Sequence, residues 1–163
     1  MDGKNFGRAM LAGLVATIIM SIVQAMAPMM GLPRMDIAAM VGSMLGGSLV
    51  VGWIVHLMMG TILWAAVYAY IVEPSLGGAP WVRGLTYGFL LAIFVLIIGF
   101  PVVGAMFPSF TPKPGFLGMG LGGAMGTMGV IIGHLVYGLV LGAIYGQPAA
   151  EHQSAVGAHA QRS

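Results

Sequence analysis

Charged residues divide the chain into four long apolar intervals. Their boundaries are, in chain order, Arg8, Arg34, Asp36, Glu73, Arg83, Lys113 and Glu151. A membrane-spanning helix needs ~20 predominantly apolar residues, and only helices or closed barrels satisfy their backbone hydrogen bonds in lipid. Each interval therefore predicts one spanning helix, and we place the four spans near residues 9–30, 48–72, 83–106 and 120–146.

The second interval is longer than one span requires and predicts an additional short helix near residues 37–45. Asp36 can cap its first turn, because the carboxylate accepts hydrogen bonds from free backbone N–H groups. Apolar side chains then recur with helical spacing on one face, at Ile37, Met40, Val41, Met44 and Leu45. Such a helix either lies in the membrane interface or dips into the bundle, where it would line a cavity.

The composition is typical of an integral membrane protein. Of the 163 residues, 59% are hydrophobic and 6% are charged, and the mean hydropathy is +0.99, whereas about a quarter of the residues in a soluble domain are charged. Cysteine is absent, which excludes disulfides, thiolate metal sites and thiol nucleophiles. The predicted fold is an all-α polytopic membrane protein with a single domain over residues 1–146. The polar residues 147–163 are expected to form a disordered tail.

Basic residues predict the orientation of the chain. Between the predicted spans, Arg34 and Lys113 fall on one side of the membrane, and the other side holds Lys4, Arg8, Arg83 and Arg162. Because basic residues accumulate on the cytoplasmic side, both termini of this multi-pass protein are expected to lie on the cytoplasmic face of the cell membrane. The net charge of +2 rests on few groups and does not indicate binding to nucleic acid.

A weak pattern repeats between the two halves of the chain, at spacings of 75 and 78 positions. The paired residues are Arg8 with Arg83, Gly13 with Gly88, His56 with His134, Gly60 with Gly138, and Ala65 with Ala143. Shared His and Arg are informative because the chain has only four His and six basic residues. Residues 8–72 and 83–146 are therefore predicted to be parallel two-helix repeats, related by an axis along the membrane normal.

Several motifs make the chain resemble a known family. They are Gly13-x-x-Ala16-Thr17-x-x-Met20, the Leu/Met stretch after Pro33, Gly52-Trp53-x-x-His56, and His134-Leu135-x-Tyr137-Gly138-x-x-Leu141-Gly142-x-x-Tyr145-Gly146. Over residues 7–147 the chain resembles a family of short bacterial and archaeal four-helix membrane proteins of unknown function. The resemblance implies the four-helix architecture, and it implies neither an activity nor any site residue.

His56 and His134 lie inside the predicted spans. An ionisable group within a membrane is a functional candidate by default, and a neutral imidazole is a comparatively inexpensive one to bury. In the structural interpretation, each ring bonds a carbonyl or hydroxyl group of a facing helix, for example that of Thr61, Thr127 or Tyr137. A proton or metal relay is a further interpretation of the pair.

The repeat also allows a cofactor interpretation of the two histidines. Two rings related by a two-fold axis could supply both axial ligands of a b-type haem, and Arg34 and Lys113 could then reach the haem propionates. Fifteen methionines allow a copper(I) site as well, because thioethers are soft ligands. The methionines are scattered, which favours their ordinary role as flexible packing residues.

Glycines recur at helical spacing through the fourth predicted span. Because small residues let helix backbones approach closely, we predict packing contacts, within the bundle or between protomers, at Gly118, Gly122, Gly126, Gly129, Gly133, Gly138 and Gly142. In the third span, Pro101 lacks the N–H that would bond the carbonyl of Ile97. We therefore predict a kink after Gly99.

Catalytic chemistry is scarce in this sequence. The acidic residues lie outside the predicted spans and far apart, and acid–base catalysis needs groups positioned around one reacting atom. The leading hypothesis is a non-enzymatic structural or accessory subunit, without a cofactor, that packs into a homo-oligomer or a larger membrane complex. The alternatives are transport of a small solute, an ion or protons along the kinked third helix and, second, the haem protein.

Overall fold

Four long helices and one short helix make up the fold in the computed structural model of this chain, which describes residues 6–146. They are α1 (Phe6–Ala25), α2 (Ile37–Met44), α3 (Leu49–Ser75), α4 (Pro80–Met106) and α5 (Ala124–Tyr145). Over this part of the chain no residue belongs to a β-strand, and four of the helices, all but α2, are long and apolar enough to cross a membrane. The prediction of an all-α fold with four spanning helices is confirmed, and the predicted tail lies outside the described residues.

Two of the predicted span boundaries are wrong by several residues. The first span ends at Ala25 rather than near residue 30, because the chain turns into a 3₁₀ helix over Ala27–Met30. The fourth span begins at Ala124 rather than near residue 120. Gly122 and Gly123 precede it with φ angles of 114° and 65°, and a backbone with positive φ cannot continue a right-handed helix.

The short helix α2 forms where the sequence predicts it. The Asp36 carboxylate accepts a hydrogen bond of 2.9 Å from the backbone N–H three residues later, which caps the first turn. The small side of α2 packs so tightly on α3 that a methyl group on Gly52 would overlap the carbonyl oxygen of Ala38. Apolar side chains on another side of α2 line a cavity; they are Ile37, Val41 and Met44. The predicted contact of this helix with a cavity is thus observed, and its placement in or below the membrane interface stays a prediction.

Helix α3 and helix α4 both contain π-helical turns, at Met59–Trp64 and Tyr68–Val72 in α3 and at Val95–Gly99 in α4. The turn in α4 directly precedes Pro101, and the helix then continues to Met106. The irregularity that Pro101 introduces is thus a widened turn on its N-terminal side. Such turns are frequent at functional sites.

Helices α4 and α5 cross with their backbones in contact. A methyl group added to Gly138 would lie 2.7 Å from the α-carbon of Gly88, and one added to Gly142 would lie 2.6 Å from that of Gly84. Both distances are shorter than any van der Waals contact between carbon atoms. Residues Gly138 and Gly142, predicted to be packing positions, therefore meet two glycines of α4 in the same chain.

The remaining predicted packing glycines have different surroundings. Gly129 and Gly133 face inward, and a methyl group on either would lie 2.5 Å from the side chain of Met35 or Gln24, respectively. Gly126 lies in the first turn of α5, against the backbone of the preceding loop.

Gly118 and Gly122 do not lie on a helix face with Gly126, so this part of the prediction is wrong. They belong to the 3₁₀ segment and its cap before α5, with φ angles of 71° and 114°. Because these glycines have no side chain, the backbone can adopt a left-handed conformation at both positions. This is their role, and they do not form a helix crossing.

Candidate functional site

A cavity of about 530 Å³ is lined by the helices of the bundle and is partly open to the outside. All five helices contribute to its wall, which consists mostly of aliphatic, aromatic and methionine side chains. The polar side chains in the wall are Thr17, Gln24, His56, His134 and Tyr137. A largely apolar cavity of this size with a few polar groups is the usual form of a small-molecule site.

Aromatic contacts hold α3 and α4 together beside the cavity. The Tyr87 hydroxyl donates a 2.7 Å hydrogen bond to the carbonyl of Trp64, and the rings of Trp64 and Phe94 are 5.6 Å apart between centroids. On the side of these contacts that faces α2, residues of both α3 and α4 line the cavity. Met59 of α3 and Ile98 of α4 are 39% and 50% exposed although they line the cavity. Both helices therefore carry cavity-lining side chains that are also accessible from outside the bundle.

His56 is anchored to α1 through a chain of hydroxyl groups. Its Nε2 lies 3.1 Å from the Ser21 hydroxyl oxygen, and that hydroxyl donates to the carbonyl of Thr17 at 2.8 Å. Since the hydroxyl proton is used by Thr17, the Nε2–H of His56 is the donor to Ser21. The neutral ring then carries its lone pair on Nδ1.

His134 has the opposite arrangement. Its Nδ1 lies 2.8 Å from the carbonyl oxygen of Val130, and a carbonyl only accepts, so Nδ1–H is the donor. The lone pair of this neutral ring is therefore on Nε2. Among the described residues neither Nδ1 of His56 nor Nε2 of His134 has a hydrogen-bond partner.

The two predicted histidines thus line the same cavity. Their hydrogen-bond partners differ from those that the sequence suggests. The hydroxyl of Thr127 donates to the carbonyl of Leu117 at 2.6 Å, and that of Tyr137 donates to the carbonyl of Gly60 at 2.6 Å. Neither reaches a histidine, because each is already committed to a backbone oxygen. The anticipated contacts with Thr61, Thr127 and Tyr137 are replaced by Ser21 and the Val130 carbonyl.

Gln24 is a further polar residue of the wall, and its amide oxygen is fully buried. The side chain is 4% exposed, and within the described part of the chain its Oε1 has no hydrogen-bond partner. A buried amide oxygen without a partner is costly. The residue also separates the cavity from a second pocket of about 440 Å³, which contains the charged residues Arg34 and Asp36.

The residues fit a b-type haem only in part. Two imidazoles line one cavity, each with a nitrogen that has no partner among the described residues, and axial ligation needs two such nitrogens. However, neither Arg34 nor Lys113 lines it. Arg34 lines the second pocket, and the Lys113 ammonium group donates to the carbonyl of Phe107 at 3.2 Å. The expected cationic partners of the propionates are therefore not at the cavity wall.

No curated protein and no solved structure matches the chain. One family model matches residues 3–156, a range that includes all five helices and both histidines. Its description is that of a family of unknown function, DUF6789. The resemblance to a family without an assigned activity is thereby confirmed, and the chain belongs to this family of unknown function, DUF6789.

Proposed function

We propose that the protein is a non-enzymatic integral membrane protein that binds an apolar small molecule, which enters the cavity sideways from the bilayer. The observation that carries this proposal is the cavity of about 530 Å³ with its apolar wall. We place its entrance between α3 and α4, where Met59 and Ile98 line the cavity and are also exposed. Binding sites for small molecules have this size and this lining. A molecule dissolved in the lipid would reach the site without crossing water.

The geometry favours this function over the structural-subunit hypothesis. That hypothesis depends on glycine faces that are available to a partner chain. Gly138 and Gly142 are instead in contact with α4, and Gly133 with α1, of the same chain. We therefore assign these glycines to the construction of the bundle, which in turn holds the cavity in shape.

We also propose that the bundle consists of two parallel two-helix repeats. The crossing of Gly13 with Gly60 in the first half corresponds in sequence to that of Gly88 with Gly138 in the second, and in both a methyl group would meet the facing backbone. The basic residues at the starts of α1 and α4 contact the other half. Arg8 donates to the carbonyl of Ile144 at 2.9 Å, and Arg83 pairs with Glu73.

The same contacts support a cytoplasmic location for both termini in the cell membrane. The start of α1 lies beside the end of α5, and positive charge at this end favours the cytoplasmic side. The chain has no native cysteine, so single cysteines can report sidedness. In intact spheroplasts, a membrane-impermeant maleimide is expected to label Ser109→Cys and to spare Ser75→Cys, because these exposed positions lie at opposite ends of the bundle. The reverse pattern would contradict the orientation.

The function is tested by binding of an apolar probe to the protein in bilayers. Trp64 lines the cavity, so its fluorescence reports on molecules that enter. We expect quenching by 1-bromododecane to contain a saturable component, because a cavity has a limited number of places whereas the bilayer does not. Two other results would point elsewhere: a Soret band in the purified protein would support the haem alternative, and saturable flux of a polar solute in proteoliposomes would support transport.

A further inference from the structure

We propose that the ligand of this cavity carries a hydroxyl or phenol group that donates hydrogen bonds to the two histidines, on an otherwise apolar molecule. This inference rests on the proposed binding function and specifies the chemical class of its ligand. Two observations carry it: the protonation pattern of the two rings and the depth of the site.

Each of the two histidine rings in the wall has one acceptor nitrogen without a partner among the residues that the structure describes. The Nε2–H of His56 is used by Ser21 and the Nδ1–H of His134 by the Val130 carbonyl, which leaves one lone-pair nitrogen on each ring. A ligand whose polar atoms only accept would leave both nitrogens unsatisfied, whereas an O–H group would satisfy one of them with each proton.

The depth of the site in the membrane favours a ligand whose polar group is uncharged. His134 is at the middle of the 22-residue α5, about 15 Å from either end at 1.5 Å per residue. A charged ammonium or carboxylate head is costly at such a depth in lipid. No Asp, Glu, Lys or Arg side chain lines the cavity to offset that cost. A hydroxyl group is uncharged and supplies a donor for the free nitrogens of the two rings.

Two kinds of lipid-soluble molecule provide this chemistry. A hydroquinone with an alkyl tail carries two phenolic O–H groups, and a long-chain alcohol carries one. Both combine a donor with an apolar body that fits the aliphatic wall formed by α2 and α4. Ethers of the same molecules keep the shape and lose the donor, which makes them matched control ligands.

The test compares decylhydroquinone and decanol with their methyl ethers, by displacement of 1-bromododecane from the cavity in bilayers. We expect at least one hydroxyl compound to bind about tenfold more tightly than its ether, which corresponds to about one hydrogen bond to a buried acceptor. A preference confined to the hydroquinone would identify a phenolic ligand, and one confined to decanol an aliphatic ligand. Equal binding of alcohols and ethers would overturn the donor inference and leave the cavity function intact. If no compound bound, both proposals would fail.

Substitution of His134 tests whether its ring accepts the hydrogen bond from the hydroxyl compound. His134→Phe keeps an aromatic ring and removes the acceptor. The ratio of the affinity for the hydroxyl compound to the affinity for its ether should therefore fall close to one, while ether binding is retained. Thr127→Val is the matched control, because Thr127 is on the same helix and lies outside the cavity wall. An unchanged preference in His134→Phe would contradict the role of this ring. Should this variant not fold, the ligand series on the native protein decides the inference.

Discussion

Replacing Gly138 by alanine is expected to destabilise the protein by about 1–3 kcal/mol, the usual range for overpacking. The added methyl group would lie 2.7 Å from both the α-carbon and the nitrogen of Gly88 and would overlap the carbonyl oxygen of Gly84. All three are backbone atoms, so no side chain can rotate away. Relief requires that α4 and α5 move apart along their whole crossing. The free energy of unfolding in one detergent measures the effect.

Gly104→Ala is the matched control for this substitution. Gly104 is on α4, and a methyl group there meets no atom within 4 Å. Alanine is preferred over glycine in a helix by about 0.5–1 kcal/mol, so this variant is expected to be as stable as the native protein or slightly more stable. Equal stabilities for Gly138→Ala and Gly104→Ala would show that α4 and α5 do not cross as described.

Replacing Gly99 by leucine is expected to reduce binding of the apolar probe at least tenfold with little change in stability. Gly99 lines the cavity at the end of the π-helical turn of α4. The nearest atom to an added Cβ there is 3.8 Å away, which is an ordinary contact distance. The leucine side chain would therefore be accommodated by the backbone and would occupy space otherwise available to the ligand.

Gly104→Leu controls for the added apolar bulk on the same helix. Gly104 is five positions further along α4, has open space around it and does not line the cavity. This variant should bind the probe as the native protein does. If both leucine variants lost binding, or neither did, the ligand would not occupy the cavity between α3 and α4.

The four spans were predictable from the sequence because the bilayer imposes a length and a composition on each helix. The cap at Asp36 and the apolar face of α2 were predictable for a similar reason, since both follow from local helical geometry. The end of α1 and the start of α5 were placed several residues away from their true positions. Glycines with positive φ, such as Gly122, end a helix without any change in hydrophobicity.

The candidate site was predictable only in its most unusual residues. His56 and His134 are conspicuous in an apolar chain, whereas the volume between them depends on the angles at which whole helices cross. The partners Ser21 and Val130 were missed because a backbone carbonyl has no sequence signal and Ser21 is far from His56 along the chain. The polar side of α1, which includes Ser21 and Gln24, was the signal that could have indicated the anchor.

The most direct test of the binding function uses a protein in which Trp64 is the only tryptophan, with Trp53 and Trp81 replaced by phenylalanine. These two residues are 41% and 53% exposed, so their removal eliminates quenching that reports only on the surrounding lipid. The protein is placed in bilayers and titrated with 1-bromododecane. The account predicts a saturable component in the quenching of Trp64 that is absent from the same protein carrying Gly99→Leu and present with Gly104→Leu. Quenching that rises in proportion to the quencher in the bilayer, identically in all three proteins, would contradict it.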